Sequence, residues 1–112
     1  MTIPYVRQRQ FDMLAKAEDR LISWSRSEGV PLHQVEFVVP FVETDFDAHI
    51  IFFVETDEQI SLPQMREAEA IFSSALRDVG YPEEHAALLT FEVDSHERVV
   101  REFEGSYFYR LR

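Results

Sequence analysis

The chain predicts an α+β fold: one domain over residues 1–112, in the order α-β-β-α-β-α-β, with a four-stranded, largely antiparallel sheet and helices packed against it. Three observations carry this. Apolar residues recur at three- and four-residue steps in two long segments, near residues 5–27 and 65–79. Two stretches rich in β-branched and aromatic residues, VEFVVPFV and AHIIFFVET, lie on either side of an acidic turn sequence. Hydrophobic residues make up 46% of 112 residues, with only three Gly and no Cys, which suits one packed core without disulfides.

Each element has its own signal. From Tyr5 to about Ser27, Phe11, Leu14, Ala17, Leu21 and Trp24 form an apolar stripe, and Gly29 and Pro31 stop the helix. Val35–Val42 follows as a strand with Val35, Phe37, Val39 and Phe41 on one face, and Pro40 points to an edge or a bulge. Thr44–Asp47 is the expected turn, and Ala48–Thr56 returns as the second strand. Ile50, Phe52 and Val54 share one of its faces, and Ile51 and Phe53 the other, so this strand is expected inside the sheet. Ser61 and Gln64 have capping-box spacing around Pro63, opening a helix that buries Met65, Ala68, Phe72, Ala75, Leu76 and Val79 and ends at Gly80. Leu88–Val93 reads as the third strand. Asp94 or Ser95, with Glu97, caps a short helix through Phe103 that Gly105 closes. In SYFYRLR, Tyr107, Tyr109 and Leu111 alternate with polar and aromatic neighbours, as in a fourth strand.

The net charge of −10 is unevenly spread. Residues 1–26 hold three acids and five bases, residues 27–65 eight acids and no base, and residues 66–112 ten acids and six bases. Such an excess disfavours nucleic acid phosphates and anionic membranes and favours a basic protein partner, a cation or simple solubility. The bases of the first helix, Arg7, Arg9, Lys16, Arg20 and Arg26, read as a solvated face rather than an RNA platform. The N-terminus lacks the apolar core of a signal peptide, and the longest apolar run, Ile50–Val54, is far short of a membrane span. A cytoplasmic location is expected.

Inside the acid-only span the pentapeptide FVETD occurs twice, at Phe41–Asp45 and Phe53–Asp57. In a hairpin the copies fall at opposite ends of the strand pair, on the order of 30 Å apart, so they cannot share a ligand. With Thr44–Asp47 as the turn, Glu43 pairs with Ala48, Phe37 with Val54, and Glu36 faces Glu55, a like-charge contact that a cation would relieve.

No reaction motif is present. The four His (His33, His49, His85 and His96) form no HxxxH or HExxH pattern. Glu92, Asp94 and His96 share a face only in an extended chain, whereas Asp94 and Ser95 read as caps. Asp45 and Asp47 match no calcium loop. Asp94-Ser95-His96 contains triad letters, but adjacent residues do not converge as a triad does. Neither a metal site, a cofactor nor a catalytic residue is assigned.

By size, acidity and lack of catalytic signature the chain is similar in kind to small acidic immunity or inhibitor proteins, which neutralise basic toxins by charge-steered docking. The leading expectation is therefore an interaction module that binds a basic protein through Glu36, Glu43, Asp45, Asp47, Glu55, Asp57 and Glu58. A second reading is a small enzyme or ligand-binding domain, with a pocket between the sheet and the first helix lined by Trp24 and Tyr107. A third is a homo-oligomer subunit whose acidity serves only solubility.

Overall fold

The computed structural model describes residues 5–39 and 47–112. Helix α1 (Tyr5–Ser27) leads into strands β1 (Leu32–Val38) and β2 (His49–Val54). A short 3-10 turn (Asp57–Ser61) precedes α2 (Gln64–Asp78) and the single turn α3 (Glu83–Ala86). Strand β3 (Thr90–Ser95), α4 (His96–Phe103) and α5 (Tyr107–Leu111) complete the order.

The α+β class stands, with three strands among the described residues in the order β1-β2-β3. Two parts of the expected sheet are corrected. Strand β3 runs parallel to β2, because the chain crosses back through α2 before re-entering the sheet beside its neighbour. The expected fourth strand is helix α5: the Ser106 hydroxyl accepts from the Tyr109 amide at 3.2 Å, an N-cap that commits the segment to a helix. Tyr107 and Leu111 lie one helical turn apart, and both pack on the same cluster.

Two cores result. On one face Ile50, Phe52 and Val54 meet α1 (Leu14, Ala17, Leu21) and α2 (Met65, Ala68, Phe72, Ala75, Leu76). Phe72 sets its ring edge-on to Phe52 at 5.9 Å between centroids. On the other face Ile51 and Phe53 pack with Val99, Phe103, Tyr107 and Leu111. Strand β2 is thus buried on both sides, as its uninterrupted apolar run requires.

The hairpin register also differs from the expected one. Phe37 pairs with Ile50 and Val35 with Phe52, four residues away from the alignment that a turn at residues 44–47 would give. A slip of four is even, so every side chain keeps its face while its cross-strand partner changes. Glu36 therefore lies opposite Ile51, not Glu55. Strand β1 ends at Val38, before Pro40, and starts earlier, with a bulge between Leu32 and Gln34. The remainder of the expected turn and the first FVETD copy lie outside the described residues.

Helix boundaries follow local chemistry. Gly29 (φ +67°) allows the Val30 amide to reach back to the Ser25 carbonyl at 2.8 Å and end α1. The capping box forms at Thr56 and Gln59 of the 3-10 turn instead of at Ser61 and Gln64, so α2 starts beyond Pro63 without a side-chain cap. At α4, Ser95 is the cap: its hydroxyl accepts from the Arg98 amide at 3.0 Å.

Candidate functional site

The carboxylates expected to bind a partner divide into separate groups. Glu43 and Asp45 lie outside the described residues. Asp47 sits ahead of β2, and its carboxylate accepts from His85 Nδ1 at 3.2 Å. Glu55, Asp57 and Glu58 follow the other end of β2, about 20 Å away for a six-residue strand.

Several of these acids are engaged within the fold. Glu55 accepts from His33 Nδ1 at 3.0 Å. Asp57 accepts from the Ser95 hydroxyl and, at 2.7 Å, from Arg101. The Ser95 hydrogen bond and then Arg101 hold its carboxyl below the usual carboxylate range. Glu58 is exposed. Glu36 accepts from the Gln34 side chain on its own strand face, a contact that brings no positive charge. Of the expected set, Glu36 and Glu58 are the described members without an ion pair inside the fold.

A further acid joins Glu36. Glu18 of α1 lies beside β1, and its pKa is raised by partial burial, then by Asp19 and Glu36. Glu36 is the third cause of that shift, after burial and Asp19. A cleft of about 290 Å³ between α1 and β1 is lined by Glu18, Ile22, Val30, Leu32 and Val35, with Arg26 and His33 also on its wall. Nothing in the sequence singles out Glu18, because which helical acid flanks which strand is decided by tertiary packing.

Two other polar clusters face the opposite side of the sheet. The rings of His33 and His96 stack at 4.0 Å, and Tyr107 stacks on His96 at 5.9 Å between centroids. The Tyr107 hydroxyl lies 2.8 Å from His96 Nδ1. Burial, then the carboxylates of Glu36, Glu55 and Asp94, push the Tyr107 phenol up to about 12.

Along β3, Asp94 is 2% exposed and accepts from Arg110 at 2.7 Å and Arg98 at 3.0 Å. Arg110 also binds Glu92, which accepts from His49 Nε2 at 2.9 Å. With Nε2 donating, His49 Nδ1 is left to accept from the Thr90 hydroxyl at 2.7 Å. Glu92 and Asp94 do share a face, as an extended strand requires, but guanidinium groups hold them. Among the described residues no group of three or more His, Asp or Glu is arranged to hold a metal ion.

A cleft does lie between the first helix and the sheet, but Trp24 and Tyr107 do not line it, because the two rings belong to different cores. Trp24 packs with the α1–α2 cluster and Tyr107 with the α4–α5 cluster, on opposite faces of the sheet. No described helix is long and apolar enough to cross a membrane. No known protein family, curated protein or solved structure matches the chain, so the fold and the geometry of this edge are the ground for any functional reading.

Proposed function

We propose that this chain is a small acidic interaction module that captures a basic protein partner, in the manner of immunity or inhibitor proteins. The observation that carries the reading is geometric: Glu18 lines the α1–β1 cleft, which Arg26 also lines, and the Glu36 carboxylate on β1 has only the neutral Gln34 side chain as its hydrogen-bond partner among the described residues. Burial, then Asp19 and Glu36, raise the Glu18 pKa. Several other acids are paired within the fold, Asp78 with Arg20, Glu83 with Arg77, Asp94 with Arg98 and Arg110, and Asp57 with Arg101, whereas Glu67 and Glu84 are exposed on the helices. An incoming cation at the β1 edge would relieve a repulsion already present in the free protein, so electrostatic attraction and local fit act together.

The docking set is accordingly narrower than the whole acid-only span. Glu18 and Glu36 lead it, and Glu58 adds field from beyond β2. Asp47, Glu55 and Asp57 are engaged with His85, His33 and Arg101 and contribute mainly to long-range steering.

Binding of a fluorescent lysine-rich peptide, followed by anisotropy, tests this. Reversing Glu18→Lys with Glu36→Lys is expected to weaken binding about tenfold or more, the scale of losing close charge pairs. Reversing the exposed Glu67 and Glu84 instead changes net charge equally at sites on α2 and α3. If both pairs of reversals weaken binding alike, attraction is only to net charge and the proposed site is wrong.

A further inference from the structure

The sheet ends at β1. Among the described residues no strand lies outside it, and alternate amides and carbonyls of an edge strand point away from the sheet. Its two faces differ in chemistry. Val35 and Phe37 turn toward the α1–α2 core, whereas Gln34 and Glu36, paired with Phe53 and Ile51, turn toward the side covered by α4 and α5. Glu18, on α1, lines the cleft at this edge together with Arg26, Val35 and Gln34. An open hydrogen-bonding edge thus has one carboxylate near each of its faces.

We propose that β1 accepts an extended segment of the partner as an added strand, with a lysine or arginine on one face directed to Glu36 and one on the other directed into the cleft toward Glu18. Side chains of an extended segment alternate between faces, so basic residues of both parities are needed to reach both acids. Main-chain hydrogen bonds supply affinity that does not depend on sequence, and the two acids select for positive charge. The raised pKa of Glu18 agrees with this, because a cation in the cleft would offset its desolvation and the fields of Asp19 and Glu36.

A second copy of this chain is a poorer occupant. Pairing β1 with its own counterpart would bring two negatively charged edges together, and acidic side chains on edge strands disfavour such self-association. Ile22, Val30, Leu32 and Val35 give the cleft an apolar wall beside Glu18 that suits a long aliphatic stem, with Arg26 also on the lining.

This inference rests on the acidic-capture reading but is tested separately from it. The probe is a short peptide with valines interspersed among lysines of both parities, compared with the same peptide N-methylated at alternate backbone amides. N-methylation leaves charge intact and removes strand donors. On the proposal, one of the two N-methylated registers loses about tenfold or more in affinity, the other binds nearly as the parent does, and the parent slows hydrogen exchange at outward-facing β1 amides. Equal binding by all three peptides with unprotected β1 amides would overturn the added strand while leaving acidic capture standing. Failure of every basic peptide to bind would remove both. Equally tight binding of a serine-for-lysine peptide would overturn the demand for a basic segment, and a dimer paired through β1 in solution would show that the occupant is a second copy.

Discussion

Asp94 sets the strongest requirement at the scale of single residues. A carboxylate at 2% exposure is stable only when paired and hydrogen-bonded, and Arg110, Arg98 and the Ser95 amide supply that. Arg110→Ala should cost about 2–3 kcal/mol in urea unfolding, because Asp94 keeps Arg98 while Glu92 loses its guanidinium partner. Stability equal to the unsubstituted protein would show that the clamp carries no net energy. Tyr107 gives a pH-dependent expectation. Its folded pKa is raised above the ordinary value of 10.0, so its contribution is fully present below pH 10 and is lost as pH rises toward 12. Tyr107→Phe should remove that part of the alkaline loss. Asp57 has the opposite sign: its lowered pKa contributes stability above about pH 4 that is lost as pH falls through its folded value, and Asp57→Asn should flatten that part of the acid limb. Little of this was legible in the sequence. Sequence alone reads Asp94 as a cap beyond a strand ending at Val93, whereas Asp94 lies within β3 beside Glu92, and its guanidinium partner comes from a helix sixteen residues further on.

Periodicity worked well for elements whose burial is one-sided or complete. The α1 stripe, the α2 stripe and the two-faced apolar run of β2 each carry enough residues for one period to dominate, and the structure follows them except at Phe11, which is exposed while Gln10 and Met13 near it are buried. It failed at α5, where five residues fit either period: Tyr107, Tyr109 and Leu111 alternate, while Tyr107 and Leu111 also sit at i and i+4. The Ser106 cap and the left-handed Glu104–Gly105 pair before it decide for the helix. Ser106→Ala should therefore loosen α5 at a cost of about 1 kcal/mol, read as faster hydrogen exchange at Tyr109 and Arg110. Unchanged exchange there would mean that packing of Tyr107 and Leu111 alone holds the helix. Strand direction was missed for a different reason. A long helix between two neighbouring strands leaves room for a parallel return, and the hairpin at the start of the sheet does not fix the strand that joins last. The register error had a limited effect, since a four-residue slip preserves faces but changes which charges meet.

For the whole molecule, the central matter is where the net charge of −10 is left uncompensated. The count of acids along the chain located the acidic span, and the fold then divides it: Asp47, Glu55 and Asp57 are engaged by neighbours, whereas Glu36 joins Glu18 at an open edge. Core architecture supports that edge from behind. Phe52 and Phe72, both fully buried, hold β2 and α2 together, and Phe72 also meets Phe37 of β1 at 6.1 Å between centroids. Phe72→Ala should cost about 3–5 kcal/mol and weaken partner capture in proportion to the loss of folded protein, not beyond it. The most direct test of the account is the salt dependence of basic-peptide binding, measured in parallel on the parent protein and on the Glu18→Lys, Glu36→Lys double variant. The account predicts affinity that falls steadily with ionic strength for the parent and a shallower dependence for the variant, because the two close charge contacts are gone. Identical slopes for the two proteins, or binding indifferent to salt, would contradict it.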